Sequence, residues 1–291
     1  MTTTAIRPRR SVLYMPGVNQ RAMEKAKGLN SDAVVLDLED AVVPAKKEEA
    51  RRLVCEQVRA GGYGYREMVI RVNAVGTPWH DEDIVAAVKA GPDAILVPKV
   101  EDASMAQRSL DHIHSAGGGP ELWVMIETPE GVANVDSIAA VIGVKVLVMG
   151  TSDLVKELRV EAAPDRLPLL YTLSRTIIAA RRYGLDALDG VSLDLKDQAA
   201  FEASCRQGRE LGFDGKTLIH PTQVEPANRL FGPAGDDVEQ ARRVLGAWQV
   251  AESDGRGVAV LDGKMIENLH ADQARRVVAF ADALASRTNP A

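Results

Sequence analysis

The strongest restriction on how this chain can fold is a recurrence. A short apolar run rich in β-branched residues stops at a polar residue, and an amphipathic stretch follows. The runs are Ser11–Met15, Ala33–Leu38, Met68–Val72, Ala94–Val97, Leu122–Ile126, Val144–Met149, Ala187–Leu193 and Lys216–Ile219. They return at intervals of 22–43 residues, which is room for one strand, one helix and the turns between them. Strands apolar on both faces and joined through helices belong to a parallel sheet that is covered on both sides. The predicted fold class is therefore α/β, a (β/α)8 TIM barrel, for which about 250 residues is typical. Residues 1–232 are assigned to it. An open doubly wound sheet would usually carry a glycine-rich dinucleotide loop after its first strand. Here that turn reads Met15-Pro-Gly-Val-Asn19, which cannot make one.

A barrel of this kind gathers its active site at the C-terminal ends of its strands. The polar residues expected there are Glu39, Asp40, Arg71, Lys99, Glu127, Asp153, Asp194 and His220. Glu127 closes the fifth run and Asp153 follows the sixth, so two carboxylates on adjacent strands point into one space. A pair of hard oxygen ligands suits Mg²⁺, which keeps several waters and takes substrate oxygens as well. The plainer alternative for Asp153 is a helix N-cap ahead of Leu154-Val-Lys-Glu-Leu158. Arg71 offers a planar fork matched to a carboxylate, and a salt bridge to Glu39 or Asp40 is compatible with that role. Lys99 holds the strand-end place of a Schiff-base lysine. Beside a metal site it reads instead as an ionic partner of Glu39 or Asp40. His220, which precedes a proline, reads as structural.

Residues 233–291 form a C-terminal extension. Helices are expected at 236–252 and 272–284, flanking a glycine-bounded, hairpin-like stretch, Gly255 to His270. That stretch reads either as a lid over a barrel mouth, its own or a neighbour's, or as a packed appendage. A net charge of -6 argues against nucleic acid as a partner. Cys55 and Cys205 stand alone, without metal-ligand spacing, as reduced cytosolic thiols do. The first residues lack the apolar core of a signal peptide, and no run approaches the about 18 apolar residues of a membrane span. A cytoplasmic protein with no membrane association is expected.

Several segments are familiar as a set. In order they are Arg10-Ser-Val-Leu-Tyr-Met-Pro-Gly17, Leu36-Asp-Leu-Glu-Asp-Ala-Val42, Ile70-Arg-Val-Asn73, Pro98-Lys-Val100, Ile126-Glu-Thr-Pro129, Gly150-Thr-Ser-Asp153, Gly212-Phe-Asp-Gly-Lys216 and Ile219-His-Pro221. Over nearly its whole length the chain resembles the citrate lyase β-subunit-like family of CoA-ester lyases, within the HpcH/HpaI aldolase superfamily. Its segment Leu261-Asp-Gly-Lys-Met-Ile-Glu-Asn-Leu-His270 is most similar to the malyl-CoA lyase and (3S)-malyl-CoA thioesterase branch.

The resemblance implies a Mg²⁺-dependent barrel that breaks or makes a C–C bond in β-hydroxyacyl-CoA esters. An example is (S)-malyl-CoA, cleaved to acetyl-CoA and glyoxylate by retro-Claisen chemistry. By motif, Glu127 and Asp153 would be the metal ligands, with Glu127 also at the substrate. Arg71 would bind the substrate carboxylate or its neighbouring carbonyl, with Glu39 and Asp40 as further catalytic candidates. Tyr14, Arg21 and Lys25 would hold CoA, and Leu193 with Asp194 would line the acyl-CoA site. Arg21 and Lys25 share one helix face, which a solvated surface would explain almost as well.

In many relatives a lid aspartate, often from the adjacent subunit, does the acid–base work. Here the matching position is Glu267, one methylene longer, with Asp262 the weaker candidate. The family also implies a homo-oligomer, a trimer or hexamer, acting on an acyl-CoA and a small 2-oxo acid. Hydrolysis of malyl-CoA to malate and CoA, citramalyl-CoA cleavage, and a citrate lyase β subunit with a carrier-bound citryl group remain open. So do a pyruvate-type aldolase that ignores CoA esters and an idle binding protein.

Overall fold

The computed structural model describes residues 6–287, which fall into two compact units. One is Arg9–Phe231; the other comprises residues 6–8 and 232–287.

In the first unit eight parallel strands close into a barrel in sequence order. They are β1 (Ser11–Pro16), β2 (Ala33–Asp37), β3 (Glu67–Arg71), β4 (Ala94–Val97), β5 (Glu121–Ile126), β6 (Val144–Met149), β7 (Asp186–Asp189) and β8 (Gly215–Leu218). Pairing of Val12 with Thr217 joins β1 to β8. The two-residue period of a strand divides the apolar side chains into two sets. Val12, Ala33, Val35, Val69, Leu96, Trp123, Met125, Val146, Val148 and Leu188 fill the barrel interior. Their neighbours, among them Leu13, Val34, Ile70, Ile95 and Val124, pack outward in the larger core that includes helix residues such as Leu53, Ile113 and Leu173.

The N-terminal end of the barrel is closed by one cation. Buried Arg9 lies 5.0 Å from the Trp123 ring. It donates two 2.7 Å hydrogen bonds to Glu67, one of 2.6 Å to Asp186 and one of 3.4 Å to Glu121. Those acids are the first residues of β3, β7 and β5, so a single guanidinium ties alternate strands together.

One strand differs from expectation. The seventh was expected over 187–193, but β7 ends at Asp189. Asp189 is fully buried, with Lys216 Nζ at 2.9 Å and Arg166 Nη1 at 2.7 Å. It also accepts the N–H of Gly190, which turns the chain out of the sheet. Val191 and Leu193 continue the apolar pattern because they line cavities, not because they pair in a strand. Asp194 therefore sits in an exposed turn, where it accepts the N–H of Lys196, and not at a strand end.

The second unit has its own small core, built on Val244, Trp248, Ala259, Ile266 and Ala271. Helices Gly235–Ser253 and Asn268–Ala285 flank an antiparallel hairpin of β9 (Ala259–Leu261) and β10 (Lys264–Ile266). Its tip, Asp262-Gly263, has both φ values positive, at 51° and 75°, the conformation that matches strand twist in a two-residue hairpin. Among the described residues no helix is long and apolar enough to cross a membrane.

Candidate active site

The interior register, carried to the C-terminal ends of the strands, places the polar residues. Val12 leads to Tyr14, Val35 to Asp37, Val69 to Arg71, and Trp123 with Met125 to Glu127. These end residues meet Asp40, Thr151, Asp153, Leu193 and Thr217 around a cavity of about 390 Å³. An adjoining polar cavity of about 580 Å³ shares Asp40, Glu127 and Asp153 with it and adds Lys99 and Glu101.

Arg71 is buried at the centre of the charges. Its Nε and Nη2 each donate a 2.7 Å hydrogen bond to Asp37. Nη1 lies 3.0 Å from Glu39 Oε2 and 3.6 Å from Asp40. The Tyr14 ring packs 4.9 Å from the guanidinium carbon. Asp37 in turn accepts the backbone N–H groups of Glu39 and Ala41. The fork expected to clasp a substrate carboxylate is thus already engaged by a carboxylate of the chain, and the Nη1 edge lies on the Glu39 and Asp40 side. Asp37 carried a usable signal, since it follows Ala33 and Val35 in the interior register.

Glu39 Oε1 accepts from Lys99 Nζ at 2.5 Å, whereas its buried Oε2 is held by the ion pair with Arg71 Nη1 alone. Lys99 adopts a φ of 53°, and its N–H reaches Glu127 Oε1 at 2.8 Å. The lysine is an ion-pair partner: burial opposes its charge, but Glu39 and Asp40 raise its pKa overall. Glu127 fits because position 150 is glycine; any Cβ there would collide with the Glu127 side chain. Burial pushes Glu127 up to about 7; Arg71 opposes the shift, and Glu39 and Asp153 add to it. Burial also drives Glu39 upward against Arg71 and Lys99. For Asp37 burial acts upward too, but the charge and hydrogen bonds of Arg71 win and hold it below the usual range. Tyr14 is raised, chiefly by burial, and stays a phenol.

Glu127 and the half-buried Asp153 in the first turn of helix Thr151–Glu157 are the residues that could hold a metal. Among the described residues no group of three or more His, Cys, Asp or Glu is arranged to hold one. Two carboxylates fit Mg²⁺, which completes its shell with water and substrate oxygens. Burial is the main cause of the high Glu127 pKa, with Glu39 and Asp153 adding to it, and a bound cation would favour the ionised form.

The other expected residues lie elsewhere. Arg21 and Lys25 are exposed on helix Gln20–Ala26 and are not among the residues lining the 390 Å³ cavity. His220 Nδ1 contacts Thr222 at 2.8 Å and opens a short helical turn, a structural role. Glu267 belongs to the second unit, exposed at the start of helix Asn268–Ala285, where its N–H donates to His270. Asp262 is paired there with Arg243 at 2.7 Å.

Residues 10–221 match the HpcH/HpaI aldolase/citrate lyase family. The chain belongs to that family. A (3S)-malyl-CoA thioesterase of Cereibacter sphaeroides is 46% identical over 279 residues, 96% of each chain. The citrate lyase subunit beta of Leuconostoc mesenteroides is 34% identical over 288 residues, 95% of this chain and 94% of the relative. A solved structure of protein CitE from Mycobacterium tuberculosis, in complex with magnesium, acetoacetate and coenzyme A, superposes with a TM-score of 0.75. It is 26% identical, and the match covers 94% of this chain and 98% of that one. The chain is thus a citrate lyase β-like member of a family of CoA-ester lyases and thioesterases, and its parallel barrel is the expected fold.

Proposed function

We propose that the chain is a Mg²⁺-dependent C–C lyase that cleaves β-hydroxyacyl-CoA esters such as (S)-malyl-CoA into acetyl-CoA and glyoxylate. The observation that carries this is the meeting of Glu127, Asp153 and the Arg71 edge in one strand-end cavity. Glu127 and Asp153 would hold the metal, which when bound supplies Lewis-acid stabilisation of the oxygen that becomes the glyoxylate carbonyl. Arg71 Nη1 adds fixed positive charge beside that oxygen, and Asp37 keeps the guanidinium plane from turning. Glu39, paired with Arg71 and Lys99 at the strand ends, is assigned to take the hydroxyl proton. The C–C bond electrons pass to the thioester enolate, and a proton delivered to its carbon completes acetyl-CoA. Glu267 is assigned to that end, with Tyr14, Arg21 and Lys25 at the CoA and Leu193 and Asp194 at the acyl group. The protein is taken to work in the cytoplasm as a homo-oligomer, a trimer or hexamer.

Hydrolysis is the second reading, favoured by the 46% identical malyl-CoA thioesterase. There the same groups would bind the substrate, and Glu267 would activate water against the thioester. One assay separates the two. Purified protein is given (S)-malyl-CoA and Mg²⁺, and glyoxylate and free thiol are followed together, with and without EDTA. Glyoxylate without thiol, abolished by EDTA, is the expected result. Thiol with malate and no glyoxylate would establish hydrolysis instead.

A further inference from the structure

Lys47 is the first residue of helix Lys47–Ala60, and it is buried although it carries a charge. Two local preferences oppose it there. A helix N-terminus disfavours a cation, and burial disfavours a charge that water can no longer solvate. Burial lowers its pKa against the pull of Asp37 and Glu39. Residues kept against local preference are expected where the fold serves a site.

The ammonium bonds main-chain oxygens, not a carboxylate. Nζ donates to the Leu38 carbonyl at 2.8 Å and to the Glu39 carbonyl at 2.7 Å. It also lies 5.4 Å from the centroid of the Trp79 ring, within reach of a cation–π contact. The two carbonyls open the turn by which the chain leaves β2. Asp37 holds the other side of that turn, accepting the N–H groups of Glu39 and Ala41 at 2.9 and 3.1 Å. Glu39 is thus fixed through its N–H by Asp37 and through its C=O by Lys47. Its carboxylate is thereby aimed at Arg71 Nη1 and Lys99 Nζ. Asp40 and Ala41, next in the turn, line the 390 Å³ cavity, and Lys47 is not among its lining residues.

We propose that Lys47 is a positioning residue for the cleavage, acting through the Leu38 and Glu39 carbonyls to aim the Glu39 carboxylate at the substrate hydroxyl. The proposal rests on the lyase reading above. Without the ammonium the turn is released on one side, and a misplacement of about 1 Å can cost on the order of 100-fold in rate. Binding is left in place, because Arg71 keeps its two bonds to Asp37. Glu127 and Asp153 come from β5 and helix Thr151–Glu157, which Lys47 does not hold.

The test follows glyoxylate release from (S)-malyl-CoA at saturating Mg²⁺ in the full-length protein, Lys47→Met, Glu39→Gln and the double variant. Methionine keeps most of the chain and removes the donor. Lys47→Met is expected to lower kcat by about 10–100-fold while KM stays within about twofold. Its Mg²⁺ affinity, read by calorimetry, is expected to match that of the unaltered protein. In the Glu39→Gln background the same substitution should lower kcat by less than about twofold further, because one residue acts through the other. Equal losses in both backgrounds overturn the proposal. So does a kcat retained per folded molecule with only the thermal midpoint lowered, which is what a merely structural lysine gives. Lys47→Gln, with a donor on a shorter chain, provides the same comparison should Lys47→Met fail to fold, and a smaller loss is expected there. Absence of glyoxylate from the unaltered protein removes the lyase reading, and the proposal with it.

Discussion

The pairing of Arg71 with Asp37 sets what Arg71 can offer a substrate. Two of its donors are spent on holding its plane, and the charge is presented from one edge. Asp37→Asn would leave the buried guanidinium short of its counter-charge, and breaking such a pair costs about 3 kcal/mol or more. The expected outcome is a lower urea midpoint together with a loss of kcat/KM on the order of 10–100-fold, as for groups that orient a catalytic residue. Gly150 acts by close approach, not by backbone freedom, since a Cβ at this position would occupy the space of the Glu127 side chain. Gly150→Ala should therefore weaken Mg²⁺ binding at least about tenfold, measured by titration calorimetry. Unchanged affinity would remove Glu127 from the proposed metal site.

At the scale of elements, the end of β7 shows how a buried acid terminates a strand. Asp189 is surrounded by Lys216, Arg166 and the Gly190 N–H. Burial presses its pKa upward, yet the two cations outweigh it and the net shift is downward. A carboxylate depressed in the folded state contributes stability that is fully present above its unfolded value, about 3.9, and is lost as pH falls through the lower folded value. Asp189→Asn is expected to destabilise by about 3 kcal/mol near neutral pH. The gap from the unaltered protein should narrow as pH falls below about 4. Denaturant unfolding at a series of pH values checks this, and a gap independent of pH would refute the assignment. The hairpin turn makes a smaller claim. Gly263→Ala, at a φ of 75°, should cost about 1 kcal/mol, visible as faster amide exchange in β9 and β10.

For the barrel as a whole, the two ends are built for different purposes. The C-terminal end gathers Arg71, Asp40, Glu127 and Asp153 around a cavity. The N-terminal end spends Arg9 on three strand-starting acids and the face of Trp123. Arg9→Leu should lower stability by about 3 kcal/mol or more, since buried Glu67 loses its bidentate partner. Thermal unfolding would show the loss, while the KM of the folded fraction should stay put. A change in KM would mean that the ends are coupled through the interior packing.

The barrel and most of its charged rim were legible in the sequence, because period and run length are local properties. Strands such as Ala94–Val97 are apolar on both faces wherever they lie, and a polar residue that ends such a run must lie near its C-terminal end. Glu39, Arg71, Lys99, Glu127 and Asp153 were found that way. A hairpin-like stretch was expected within Gly255 to His270, and the structure places its turn at Asp262-Gly263. Which charge pairs with which is not local. Whether Arg71 faces Asp37 or a ligand, and whether the seventh strand stops at Asp189 or runs on through Val191, depended on cations supplied by distant segments. Arg166 and Lys216 reach Asp189 only once the chain has closed on itself. An isolated buried carboxylate is too costly to keep, so the tertiary structure that delivered its partners decided where that strand ended.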